Sequence, residues 1–259
     1  MFIVPAPAFT PVLNLVEPRG VQRGAESEVH FHGERLDGLQ QVLLYKPGIE
    51  VLSLDAKDAK HAVARLRVAP DAVLGEHPLR LRTGGGITYQ RTLWVGQFPT
   101  LMEAEPNDSF EAPQPVQPGI TVQGVAKAED ADFYQVSLKK GQRLSVEVEA
   151  MRLGRTMFDA SIAVLDPKRF EVAVADDSPL LRNDGFATII APEDGDYRIL
   201  VREAAYEGSD ACQYRLHIGA FPRPAAVFPT GARPGETVGF RFVEDPPAEP
   251  PLTRPVAIP

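Results

Sequence analysis

The chain has 259 residues, with 27 lysines and arginines against 35 aspartates and glutamates, for a formal charge of −8. That balance argues against nucleic acid as a partner, and 44% hydrophobic with 24% charged residues is the composition of a folded globular protein, not a disordered one. The 25 prolines are about twice the average share; each fixes φ and lacks an N–H, so they break helices and gather in turns, and an all-β chain is expected. Cys212 is the only cysteine, which leaves no disulfide within the chain and no cysteine-rich zinc site. No run approaches the roughly 18 apolar residues of a membrane span, so no membrane insertion is expected, and Met1 to Pro5 lacks the charged and apolar regions of a signal peptide.

Residues 12 to 95 break into short apolar or alternating runs: Val12 to Val16, Glu28 to His32, Gln41 to Tyr45, Glu50 to Leu54, Ala62 to Val68, Pro78 to Arg82 and Ile87 to Val95. Turn residues such as Lys46-Pro47-Gly48 and Gly84-Gly85-Gly86 separate them, the pattern of an immunoglobulin-like sandwich. An acidic, proline-rich stretch from 103 to 118 leads into a second series. Its strands are Phe133 to Leu138, Leu144 to Ala150, Ala160 to Leu165, Phe170 to Ala175, Phe186 to Ala191, Tyr197 to Arg202 and Tyr214 to Gly219. Leu144, Val146 and Val148 alternate with Ser145, Glu147 and Glu149, which predicts one apolar and one solvated face.

From 225 onward the first series begins again. Pro18, Gly20, Gly24, Val29 and Phe31 are matched by Pro229, Gly231, Gly235, Phe240 and Phe242, all 211 positions later. The match then dissolves into Pro246-Pro247 and Pro250-Pro251. Three regions are therefore expected: 1–98, an immunoglobulin-like β-sandwich; 99–222, a second sandwich with an acidic leading segment; and 223–259, the start of another immunoglobulin-like domain with a proline-rich tail. On this reading the chain is a piece of a longer tandem protein.

The second region resembles the bacterial pre-peptidase C-terminal domain family, jelly-roll-like β-sandwiches attached to secreted proteases and related to the collagen-binding domains of collagenases. The resemblance rests on Glu103-Ala104-Glu105-Pro106-Asn107-Asp108-Ser109, Glu129-Asp130-Ala131-Asp132-Phe133-Tyr134, Leu138-Lys139-Lys140-Gly141-Gln142 and Ala191-Pro192-Glu193-Asp194-Gly195-Asp196-Tyr197. The first region is similar to the immunoglobulin-like domains shared by plexins and transcription factors, through Glu17-Pro18-Arg19-Gly20, Gly33 and Ala69-Pro70-Asp71-Ala72-Val73-Leu74-Gly75-Glu76-His77.

The acids between 103 and 132 have the composition a hard divalent cation needs, since calcium takes six to eight oxygen ligands. Spacing alone favours a solvated, charge-rich linker, and only the resemblance reverses that reading. The resemblance to the collagenase modules implies calcium held by Glu103, Glu105, Asn107, Asp108, Glu129 and Asp132. Asp130 stands beside them at the mouth of the next strand. Where relatives have an aspartate or serine after the glycine matching Gly124, this chain has Val125, so only a backbone carbonyl would serve there.

A second acidic set, Asp159, Asp166, Asp176, Asp177 and Asp184, falls in loops that should gather at one end of the sandwich, where binding residues tend to sit; Asp166-Pro167 and Asp176-Asp177-Ser178 are equally good turn formers. Tyr206, in a turn, is placed where a sugar or peptide would stack, and reads equally as a loop aromatic covering a sandwich edge. His30 and His32 share a strand face opposite Val29 and Phe31 and read as solvent-facing. None of the common catalytic signatures is present.

These readings converge on a non-catalytic, calcium-stabilised binding or spacer module of a bacterial extracellular multidomain protein. Its expected partner is an extracellular polymer, either structural protein or polysaccharide, and its expected location is extracellular or periplasmic. The alternatives are a carboxylate-dependent glycoside hydrolase using Asp159 with Asp177 or Glu203, and a ligand-free spacer.

Overall fold

The computed structural model describes residues 10–178, 181–244 and 253–258; the proline-rich stretch 245–252 and Pro179 lie outside them. The chain forms two compact units, 1–101 and 102–259. Among the described residues the only helical element is a 3-10 turn at Met151–Leu153, and all else that is regular is strand. No described helix is long and apolar enough to cross a membrane.

The first unit contains β1 (Val12–Glu17), β2 (Gly20–Gln22), β3 (Glu26–Glu34), β4 (Leu39–Leu44), β5 (Ile49–Ala56), β6 (His61–Val68), β7 (Gly75–Thr83), β8 (Gly86–Ile87) and β9 (Arg91–Gly96). One sheet runs β1-β3-β6-β5 and the other β2-β9-β7-β4, with β8 added to β7. This is the strand order of an immunoglobulin-like sandwich. Alternation explains its two faces: Ala62, Ala64, Leu66 and Val68 of β6 are buried with Val29 and Phe31 of β3, while Arg65 and Arg67 point outward. Both arginines pair with Glu26, at 2.8 and 2.9 Å, and Arg67 also reaches Glu50 at 3.1 Å. Exposed pairs of this kind set register more than they add stability.

The chain passes on along β10 (Thr100–Met102) to the second unit. There the strands are β11 (Gln114–Pro115), β12 (Ile120–Val125), β13 (Asp132–Leu138), β14 (Arg143–Glu149), β15 (Ala160–Leu165), β16 (Glu171–Ala175), β17 (Phe186–Ile190), β18 (Gly195–Glu203) and β19 (Gln213–Gly219). One sheet carries β12-β19-β14-β17 and the other β11-β13-β18-β15-β16. Between them Val122, Leu144, Val146, Val148, Leu216 and Ile218 meet Tyr134, Val136, Ile162, Val164, Ile199 and Val201.

The outer face of β14 is not the solvated face that its alternation predicts. Ser145, Glu147 and Glu149 are buried, because two segments fold over them. Arg152, within the 3-10 turn, reaches Glu147 at 2.8 Å. Arg223 grips the same carboxylate, and Ser145 donates to the carbonyl of Phe221 at 2.6 Å. Glu149 receives Arg215 at 2.5 Å and His217 at 3.2 Å. Burial works against its ionisation, but the charges of Arg215 and His217 outweigh it and hold its carboxyl at about 2.

The last three strands, β20 (Pro224–Phe228), β21 (Thr237–Glu244) and β22 (Thr253–Ala257), form a separate small sheet in that order. The pairing of its first two strands repeats that of β1 and β3. Val16 faces Phe31 and Glu17 faces His30 in the first unit; Val227 faces Phe242 and Phe228 faces Arg241 here, each 211 positions on. Both pairs of strands carry a register shift at the same place, between Leu13 and Leu15 and between Pro224 and Ala226. Where Val29 and Phe31 are fully buried, the corresponding Phe240 and Phe242 are only partly so.

A carboxyl depressed in the folded state adds stability above its unfolded pKa and loses it as pH falls through the folded value. Glu149 should therefore contribute fully above about pH 4.5 and lose that contribution as the pH approaches about 2. Denaturant titrations across this range should show a steeper acid loss for the wild type than for Glu149→Gln. At neutral pH the variant should be less stable by about 3 kcal/mol or more, because Arg215 is left buried without its counter-charge.

Candidate functional site

The site is built where the segment following β10 returns across the sandwich to the start of β13. The amide of Glu103 donates to Gln123 O of β12 at 2.9 Å, and that of Phe133 donates to Asn107 O at 2.9 Å. These two backbone bonds anchor the acidic segment at both ends. They bring Glu105 and Asp108 against Asp130 and Asp132, and one carboxylate oxygen from each of the four lies within 4.8 Å of the others.

Beneath this group is a buried polar knot. Glu103 Oε1 lies 2.7 Å from the hydroxyls of both Tyr134 and Tyr214. The two hydroxyls are 2.5 Å apart, and Tyr214 also lies 2.7 Å from Asp132 Oδ2. Glu103 Oε2 accepts the amide of Val125 at 3.0 Å. Two phenols supply two hydrogens for four short oxygen–oxygen contacts, and a proton on Asp132 brings the number only to three, so the knot is short of hydrogen-bond donors. Burial first, then the charge of Glu103, pushes the carboxyl of Asp132 up to about 9. Burial raises Glu105 as well, aided by Asp108, Asp130 and Glu103 and opposed by Lys127.

Two oxygen acceptors in this region, Asn107 Oδ1 and Asp132 Oδ1, are buried without a hydrogen-bond donor. Such orphaned groups are costly and rare. Every donor atom that converges is oxygen, the chemistry of a hard divalent cation. The cation now nearest is Lys127, whose Nζ lies 3.2 Å from Glu105.

The resemblance-derived ligands thus separate into different environments. Glu105, Asp108 and Asp132 come together, with Asn107 buried alongside. Glu103 is spent on the tyrosines and on Val125 N. Glu129 is exposed at a positive φ of 60°, its amide bonded to Tyr206 O, and stands outside the group. Asp130 stands with Glu105, Asp108 and Asp132 in the converging group; its position at the mouth of β13 was the available signal.

Residues 130–203 match the family of the bacterial pre-peptidase C-terminal domain. The second unit contains a pre-peptidase C-terminal domain. No curated protein sequence matches the chain. Among solved structures, the pre-peptidase C-terminal domain of the collagenase from Bacillus anthracis is similar at 13% identity, with 45% of this chain and 99% of that one covered and a TM-score of 0.34. The secreted serine protease VesC from Vibrio cholerae is 12% identical, covering 78% of this chain and 48% of its own, with a TM-score of 0.28. SGBP-B from a xyloglucan utilization locus of Bacteroides uniformis is 8% identical, covering 82% and 73%, with a TM-score of 0.29.

The second acidic set of the pre-peptidase C-terminal domain divides in two. Asp159 is raised by burial and then by the charges of Asp177, Glu203 and Asp176, so each of these three acids lies within electrostatic reach of it. Beside them Tyr206 is half exposed with the Arg202 guanidinium 4.5 Å from its ring centre. Asp184, whose carbonyl accepts the Ser178 amide at 3.2 Å, is instead fully buried. It accepts the amides of Ala150, Met151 and Arg152 at 3.1, 2.7 and 3.3 Å and the Arg152 side chain at 2.5 Å, so its oxygens hold the 3-10 turn. Asp166 caps its own turn through the amides of Lys168 and Phe170.

Gly124 is fixed by the knot. A Cβ there would lie 2.4 Å from the Tyr214 hydroxyl and 2.8 Å from Glu103 Oε1. Gly124→Ala is expected to destabilise the pre-peptidase C-terminal domain by about 1–3 kcal/mol through overpacking, read as a lowered midpoint in urea with unchanged slope.

Proposed function

We propose that the chain is a non-catalytic, calcium-stabilised binding or spacer module of a bacterial extracellular multidomain protein, holding its parent to a structural protein or polysaccharide. The observation that carries this reading is the convergence of Glu105, Asp108, Asp130 and Asp132 above the donorless oxygens of Asn107 and Asp132. On this proposal those five residues hold the ion, and Glu103 orients Asp132 through the Tyr214 hydroxyl. Calcium then relieves the repulsion of crowded carboxylates, fastens the leading segment to β13, and stabilises the folded state by mass action.

The match of residues 130–203 to a module family attached to secreted proteases supports an extracellular or periplasmic location. The repeated strand register supports dividing the chain into an immunoglobulin-like domain at 1–98, the pre-peptidase C-terminal domain at 99–222, and the start of a further immunoglobulin-like domain at 223–259. Polymer binding is assigned to the loop end carrying Asp159, Asp176, Asp177 and Tyr206, where an aromatic ring and carboxylates stand together.

Thermal melts test the calcium role directly. EDTA should lower the melting temperature of the wild type and calcium should restore it, while Glu105→Ala and Asp132→Ala should both melt low and be indifferent to either addition. A wild type unmoved by chelator overturns the assignment. Co-sedimentation with insoluble collagen, chitin and cellulose tests the second part. Retention by one of them should weaken in Tyr206→Ala, and failure on all three leaves the spacer.

A further inference from the structure

The outer face of the sheet β11-β13-β18-β15-β16 carries two cations that no carboxylate neutralises, in a chain whose formal charge is −8. Side chains alternate along a strand, so with Ile199 and Val201 of β18 in the core, Arg198, Leu200 and Arg202 point outward. Strand register extends this row sideways. Leu200 sits opposite Phe133 of β13 and Ala163 of β15, Arg202 opposite Ser161, and Ala163 opposite Val174 of β16. Ser161 and Ala163 are small and buried, while Val172 and Val174 are 39% and 57% exposed. The result is a shallow trough along β15, with the β18 row on one side and the β16 valines on the other.

Both arginines are held in place without being neutralised. Arg198 donates to the carbonyls of Phe110 at 3.1 Å and Asp196 at 3.3 Å, and Arg202 to those of Glu203 at 3.2 Å and Ala204 at 2.9 Å. Their guanidiniums also lie 4.9 and 4.5 Å from the ring centres of Phe110 and Tyr206. Among the described residues these partners are carbonyls and rings, none a carboxylate. The carboxylates of the same strand are engaged elsewhere, Asp196 with Ser137 at 2.6 Å and Glu203 with the amides of Ala205 and Glu207. Two of the five N–H groups of each guanidinium are used, so the rest are left for an external anion. Four residues along a strand put the two arginines roughly 13 Å apart.

We propose that this face docks an extended acidic peptide in which two carboxylates, four residues apart, flank an apolar side chain. Such a peptide has the same rise per residue as β18 and shows alternate side chains to one side. Its positions i, i+2 and i+4 therefore meet Arg198, Leu200 with Ala163, and Arg202 together, and the pattern reads the same in either chain direction. Guanidinium forks match carboxylates, and the apolar side chain removes Leu200 and Val174 from water. A carboxylated polysaccharide fits less well, because sugars stack on open aromatic faces. Phe110 already lies against the guanidiniums of Arg169 and Arg198, and the middle of the trough is aliphatic. The proposal stands whether or not the loop end carrying Asp159, Asp176 and Asp177 takes a polymer.

The test is fluorescence anisotropy of a labelled, end-capped peptide Ser-Glu-Thr-Leu-Thr-Glu-Ser titrated with the full chain in calcium-containing buffer. The expected result is one peptide per chain with a Kd below roughly 100 μM, weakening as sodium chloride is raised. Arg198→Gln and Arg202→Gln should each weaken binding about 10-fold or more. Val174→Asp, at an exposed site, should weaken it with an unchanged melting temperature, and Arg65→Gln in the first unit should bind as the wild type does. A peptide with its glutamates adjacent, Ser-Glu-Glu-Leu-Thr-Thr-Ser, should bind about 10-fold less tightly. A Kd above roughly 1 mM, binding kept in both arginine variants, equal binding of the two peptides, or retention of polygalacturonate without the peptide would each overturn the proposal.

Discussion

The Tyr214 hydroxyl is the point on which the second unit turns. It leaves β19 in one sheet, crosses the core, and meets Tyr134 and Asp132 of β13 in the other, with Glu103 of the leading segment closing the set. A buried polar group of this kind is costly wherever an oxygen is left without a partner. Its contacts tie together the two sheets, the segment before β11 and the glycine at 124. It also leaves excess negative charge at one end of the sandwich, and this charge gives the carboxylates above it their chemistry.

The outer face of β14 follows the same logic with the opposite balance. Glu147 and Glu149 are buried, but arginines from three separate segments neutralise them. Breaking such a group from one side is costly, whereas the intact group adds little over an apolar substitute. Its effect here is positional: Arg152 and Asp184 hold the 3-10 turn, and Arg223 holds the chain where it leaves the sandwich.

Most strands of both units were legible from alternation and turn residues, because their buried faces are purely apolar. β12 was not. Thr121 and Gln123 are buried with Val122, so both its faces are covered and Gly124 interrupts what remains of the pattern. For the same reason Glu147 and Glu149 read as solvated, since nothing local to them announces Arg215 or Arg223 from far along the chain. The acidic site was legible as a region through the family resemblance. That two tyrosine hydroxyls claim Glu103, and that Glu129 stands at a positive φ apart from the converging carboxylates, was not legible, because both depend on residues that only the fold brings together. His30 and His32 were visible as a pair, but His61 stacks on them only through strand register.

The hairpin that begins at 224 repeats the register of β1 and β3 down to the irregularity near its start. The arginine just ahead of it is locked to a carboxylate in the body of the preceding sandwich. Lifting the strands beyond 223 away from the sandwich therefore means breaking the contacts of the Arg223 guanidinium with the buried carboxylate of β14.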